Sequence, residues 1–160
     1  MVYLFSTVLA FQAGGQLIEA PQRSVTDPRN ADLNARYERA DDAKAMEILW
    51  KSLDKGRERP APVPAVDFEK WTVVLLMPSA READRHRMSF GGAELQRGIL
   101  IIRYSLMAIP LDGGPGLHLP YQLLKVPRTD GPIRVVQGTQ DAGTGKVADE
   151  KVVRELAAPR

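Results

Sequence analysis

Cysteine is absent from the 160 residues. Disulfides, thiolate nucleophiles and Cys-ligated zinc are excluded together, while the compartment stays open, because a chain without thiols tolerates oxidising and reducing surroundings alike. A dominant sign of charge is also lacking. The formal net charge is only +2, short of the concentrated basic face that nucleic acid asks for. The apolar stretch Met1–Phe11 (MVYLFSTVLAF) falls well below the ~20 residues needed to cross a bilayer. No membrane span is expected from it. Two readings of it stay open: a first β-strand over Tyr3–Phe11, rich in β-branched and aromatic residues, or the remnant of an export signal with no Lys or Arg before its apolar core. Histidine is scarce as well. His86 and His118 have no second ligand at helical or hairpin spacing, whereas a metal site gathers three or four converging ligands. No metal and no cofactor is expected.

The residues present suggest short strands with turn punctuation and one helix. Gly14-Gly15 ends the first run, and Gln16 to Val25 reads as a second short strand interrupted at Pro21. Asn30 to Asp42 is highly charged and reads as loop or short helix. Met46, Leu49, Trp50 and Leu53 then recur at i, i+3, i+4 and i+7, which predicts a helix over Asp42–Lys55 with Asp41 or Asp42 as its cap. Arg57 to Pro64 carries three prolines within five residues and reads as a stiff extended connector. Trp71–Met77 (WTVVLLM) is a continuous apolar run, predicted as a strand buried on both faces. Met88–Leu95 is a strand with a bulge or turn at Gly91-Gly92, and Gln96-Arg97-Gly98 is a tight turn. In the strand Ile99–Ile109, Leu100, Ile102, Tyr104, Leu106 and Ala108 form the more apolar face. Tyr121–Val126 and Ile133–Gln137, separated by the Pro127–Pro132 connection, read as an antiparallel hairpin. The predicted fold class is α+β: mostly antiparallel β, sandwich-like, with one amphipathic helix packed on it. Residues 1–137 would form the domain, and 138–160 a polar tail whose pattern over Lys151–Leu156 allows a short helix.

The search for reaction chemistry returns only partial motifs. Ser52-Leu53-Asp54-Lys55 matches S-x-x-K, but at a helix C-terminus and without the companion motifs. Gly138–Lys146 (GTQDAGTGK) resembles a phosphate loop, yet Gln140 and Val147 break the pattern; a flexible link is the plainer reading. The Gly113–Gly116 stretch has Pro115 in place of a backbone donor and no nucleophile nearby in sequence. Carboxylate pairs such as Asp41-Asp42 lie among basic residues and read as solvated surface. Arg81, Arg85, Arg87 and Arg97 are interleaved with acidic residues, with Phe90 as the single aromatic among them. Such a mixed-charge segment suits a protein-contact rim better than a nucleic-acid platform. Candidate protein-contact residues are therefore Arg81, Arg85, Arg87, Phe90, Asp112 and Pro115.

Pro64-Ala65-Val66-Asp67-Phe68 before the Trp71–Met77 run follows a P-x-V-D-F pattern leading into a Val-rich strand. Leu119–Pro127 (LPYQLLKVP) follows a P-Y-x-L-V-x-I-P pattern, and the helix with Leu49-Trp50 precedes both. Over Gly15–Val136 the chain resembles the PrcB-like family, small accessory subunits of exported bacterial protease complexes. One segment departs from that pattern: Pro78–Arg87 stands where members carry a Gly-rich turn with Thr-Gly-Gly and Tyr. The resemblance implies a non-catalytic accessory or stabilising subunit of a larger complex that is extracytoplasmic, periplasmic or membrane-associated. A cytoplasmic location is the alternative. It carries no catalytic residues. The shared positions read as structural: Asp67 bonding amides before the strand, Phe68 and Trp71 filling the core with Trp50 and Tyr121, and Pro120 limiting the later strand. The alternative functions are a protease inhibitor or chaperone-like binder presenting Asp112–Gly116, and, behind it, a small hydrolase.

Overall fold

A computed structural model describes residues 11–18, 24–25, 34–53, 61–79, 86–108, 117–118 and 120–159. Its elements run β1 (Phe11–Ala13), β2 (Gln16–Ile18), β3 (Ser24–Val25), β4 (Arg36–Ala40), α1 (Ala43–Leu53), β5 (Trp71–Met77), β6 (His86–Gln96), β7 (Ile99–Ala108), β8 (Leu117–His118), β9 (Gln122–Pro127), β10 (Ile133–Gln140) and β11 (Val147–Leu156). The larger sheet has the order β1-β6-β7-β10-β11 and the second β2-β9-β5-β4, while β3 and β8 make a two-stranded ribbon. Pairing is antiparallel throughout except between β7 and β10. The class is α+β and β-rich, with one helix among the described residues.

The layers follow from where the apolar side chains point. Val74 and Leu76 of β5, with Leu124 and Val126 of β9, meet Leu100, Ile102, Tyr104 and Leu106 of β7 and Ile133 and Val135 of β10 in a core between the sheets. The alternate residues Val73, Leu75 and Met77, with Leu123, pack under Met46, Leu49, Trp50 and Leu53 of α1. The stack is thus sheet, sheet, helix. The β5 run has no polar alternation because both its faces are covered. The helix starts where the sequence places it: Asp42 Oδ1 accepts from the Ala45 amide at 2.7 Å. Trp50 Nε1 donates to Ala61 O at 2.9 Å, which pins the connector after the helix onto the same layer.

The β6 strand carries the expected bulge, a register shift between Phe90 and Gly92. It turns into β7 through Arg97 and Gly98, both at positive φ, the conformation that a two-residue hairpin requires. In β7, Leu100, Ile102, Tyr104 and Leu106 are buried as predicted, whereas Ala108 is exposed.

Four expectations are corrected. First, Asn30–Asp42, read as loop or short helix, contains a strand: Arg36–Ala40 is β4, paired to β5. Its charges are absorbed by neighbours, Arg36 by Glu38 and Ser52. Second, β9 and β10 do not form a hairpin. They lie in different sheets, and β10 pairs in parallel with β7. The Thr129–Gly131 turn carries the chain across, and Arg39 holds it there through Thr129 O and Gly131 O. Third, the chain after Gly138, read as a polar tail that allows a short helix over Lys151–Leu156, contains strand β11, paired to β10. Fourth, Gly138–Lys146 is not a flexible link: Gly138–Gln140 complete β10 and Asp141–Lys146 form the hairpin turn into β11. Asp141 Oδ1 accepts from Gly143 N, Thr144 N and Thr144 Oγ1, and Asp141 N bonds Lys146 O. The expected strand Tyr3–Phe11 lies outside the described residues apart from Phe11, which begins β1.

Candidate protein-contact surfaces

Several charged and polar groups among the described residues are used inside the fold. Arg39 uses all five guanidinium donors. Nε and Nη2 clasp Asp41 at 2.7 Å each, Nη2 also reaches Thr129 O at 3.0 Å, and Nη1 reaches Gly131 O and Ala157 O at 3.0 and 2.9 Å. Thr72, fully buried, donates its hydroxyl to Asp41 Oδ1 at 2.8 Å. The Arg39 and Asp41 side chains are only 9% and 17% exposed, so Asp41 belongs to a buried network and not to a solvated pair. One ion pair therefore ties the edge of one sheet to the inter-sheet crossing and to the end of β11 in the other. A second polar chain runs through the sandwich: Tyr37 Oη meets Tyr104 Oη at 2.7 Å, and Tyr104 Oη donates to Gln137 Oε1 at 2.5 Å.

The residues resembling the PrcB-like pattern have structural places. Asp67 forms the turn before β5, its Oδ1 accepting from Glu69 N and its carbonyl from Lys70 N and Trp71 N. Lys70 and the Glu69 amide hold the Asp67 carboxyl below its usual range. Phe68 and Tyr121 pack at the margin of the core under α1, and Pro120 is buried. Trp71 departs from expectation. It is half-buried at the start of β5 and lies outside both cores, with Lys125 Nζ 4.8 Å from its ring centre.

Of the contact candidates, Arg81, Arg85, Asp112 and Pro115 lie outside the described residues. Arg87 is exposed on β6. Phe90 is partly buried and packs against the inter-sheet core. Its ring sits 2.7 Å from where a Cβ on Gly15 would be, so a side chain at that position would require the Phe90 ring to shift. Ser52 is no free nucleophile, since its Oγ donates to Leu49 O and accepts from Arg36 Nη2. Among the described residues no three His, Asp or Glu side chains are grouped so as to hold a metal, and no helix is long and apolar enough to cross a membrane.

Two surfaces remain open. The outer face of the larger sheet has no helix against it among the described elements. Ile101, opposite Glu94 and Arg134, and Val136, opposite Arg103, are nevertheless only 7% and 8% exposed. The same face carries ion pairs: Arg103 joins Glu94 and Glu150, and Arg134 joins Glu155. The other surface is a seam. Strands β4 and β11 are the edges of the two sheets and come together on one side of the sandwich. A cleft of about 290 Å³ opens between them, lined by Ala35, Arg36, Tyr37, Glu38, Val153 and Arg154. Sequence reading missed this surface because β11 was taken as a tail and β4 as loop or helix.

No family model, no curated protein and no solved structure matches this chain.

Proposed function

We propose that this chain is a non-catalytic accessory subunit that docks on a larger bacterial protein complex outside the cytoplasm. The observation that carries the reading is the seam. Two sheet edges lie side by side there, each ending its own sheet, and the cleft between them is open to solvent. Unpaired strand edges are contact elements for other chains unless something blunts them. Arg39, Asp41, Thr72, Tyr104 and Gln137 are engaged with one another or with backbone, which fits a scaffold better than a reaction centre. The described cleft contains no histidine and no serine. The likeness of Pro64–Phe68 and Leu119–Pro127 to the PrcB-like pattern agrees with this reading and supplies the compartment.

Native mass spectrometry of the tagged chain, purified from the envelope of its own host, tests the reading. We expect a heteromer of fixed stoichiometry. A lone chain recovered from both the envelope and the soluble fraction would overturn it.

A further inference from the structure

Resting on that reading, we propose that residues 61–66, the strap that follows α1, are a docking element recognised in polyproline II form by an aromatic-lined groove on the partner. Steric rules set the shape of the strap. Pro62 and Pro64 lock φ at about −65°. Ala61 and Val63 each precede a proline, which disfavours the helical region for them. The strap is thus extended before any tertiary contact forms, and residues 61–67 contain no helix, strand, turn or bend. Both of its ends are anchored. Ala61 packs against the helix layer and its carbonyl accepts from Trp50 Nε1. Val66 packs against the same layer just before the Asp67 turn.

Burial between the anchors repeats every third residue. Ala61 and Pro64 are partly buried, whereas Pro62, Val63 and Ala65 are exposed. A β-strand alternates every second residue. A polyproline II helix has about three residues per turn, so it rests on one edge and presents the other two. Two further observations point to a protein groove. The six residues APVPAV carry no charge, and Val63 is 41% exposed. A run of exposed apolar residues works against solubility unless it is used in binding. Residues 62–66 also make no hydrogen bond to any described residue. Their carbonyls are open acceptors, and the two prolines have no N–H to offer. Aromatic rings pack on proline and valine, while Trp N–H and Tyr O–H groups donate to such carbonyls. A partner's strand edge fits worse, because Pro62 and Pro64 lack the amides that a ladder needs. The strap shares no residue with the seam cleft and is a second place of contact.

The test is made on the full chain in its own host, with benzoyl-phenylalanine at Ala65 as the probe. The crosslinked partner peptide is sequenced, and the heteromer is measured by native mass spectrometry. We expect one adduct, in a partner segment that contains Trp or Tyr. Val63→Asp should reduce adduct and heteromer about tenfold or more, because a carboxylate would be buried among rings. Its melting temperature should stay unchanged, since that side chain is exposed. Replacing Pro62 and Pro64 together by Ala keeps the strap apolar but frees its backbone, and should weaken both signals several-fold. Val63→Ile should keep them. An adduct in a segment without an aromatic residue, an adduct to a second copy of this chain, or no adduct would each overturn the proposal. A heteromer that forms in full with Val63→Asp removes the strap proposal and leaves the docking role. A wild-type chain recovered alone from its host removes the docking role itself, and the strap with it.

Discussion

The two sheets differ in what lies on their outer faces. The second sheet places α1 over β5 and β9, burying Met46, Leu49, Trp50 and Leu53 against Val73, Leu75, Met77 and Leu123. Among the described residues the larger sheet has no helix over its outer face, which carries the ion pairs of Arg103 with Glu94 and Glu150 and of Arg134 with Glu155. The first solution gains from removal of apolar surface from water. The second draws little from its exposed ion pairs, which are worth about 0–1 kcal/mol each. The comparison teaches where stability and where contact reside. The helix-covered side is closed by α1, while the larger sheet has no helix over it among the described residues and ends at the β11 edge.

Substitutions of decreasing severity sharpen that contrast. On the helix-covered side, Trp50→Ala removes a buried ring and the bond to Ala61 O, and should cost about 3–5 kcal/mol in urea unfolding. A loss below about 1 kcal/mol would mean that α1 is not a packed layer. Arg39→Ala leaves Asp41 and three carbonyls without their donor, and should cost about 3 kcal/mol. Arg39→Lys should recover little of this, since an ammonium has three donors and no fork. Wild-type stability in Arg39→Lys would contradict the five-donor role.

Gly131→Ala tests the crossing between sheets. A Cβ there would meet Gly98 O at 2.1 Å, and because that atom is backbone the turn must shift, at about 1–3 kcal/mol. On the open face, Arg103→Ala should change stability by less than about 1 kcal/mol, despite its two ion pairs. A larger loss would show that the outer face of the larger sheet is structural after all.

The smallest effect concerns pH. Glu47 is held below its usual 4.5 by Lys51, Asp67 below 3.8 by Lys70, and Asp141 below 3.8 by the Thr144 hydroxyl. A carboxyl whose folded value is depressed stabilises the fold above its unfolded value, and that contribution is lost as pH falls through the folded one. Melting temperature should therefore be flat from neutrality down to the unfolded values near 4.5 and 3.8 and decline only below them. All three groups are on the surface, so the decline from them should be shallow.

Legibility in the sequence tracks the same division. The helix and β5 were readable because their apolar residues recur at spacings that only one arrangement buries: Met46, Leu49, Trp50 and Leu53 on one helical face, and Trp71–Met77 as an unbroken run. The β6–β7 hairpin was readable from Arg97-Gly98 and from the alternation in Ile99–Ala108. Strands β4 and β11 were not, because charged residues that pair within the fold look the same in sequence as charged residues facing water. Arg39 and Asp41 are the clearest instance, and VADEKVVREL is the other. The wrong hairpin between β9 and β10 came from a short connection that would suit one; Arg39, 90 residues away from Thr129, holds it in the crossing instead. The seam was illegible because it is made by precisely those two misread strands.

The most direct test of the docking account is photocrosslinking in the native envelope, with a benzoyl-phenylalanine placed at Arg154, at Val152 or at Ile48. Val152 and Ile48 are 55% and 63% exposed, so accessibility alone does not distinguish them. Crosslinks to one discrete partner from Arg154 and Val152, with none from Ile48 on the helix layer, are the expected result. Crosslinks from Ile48 alone, or none from any of the three, would contradict it.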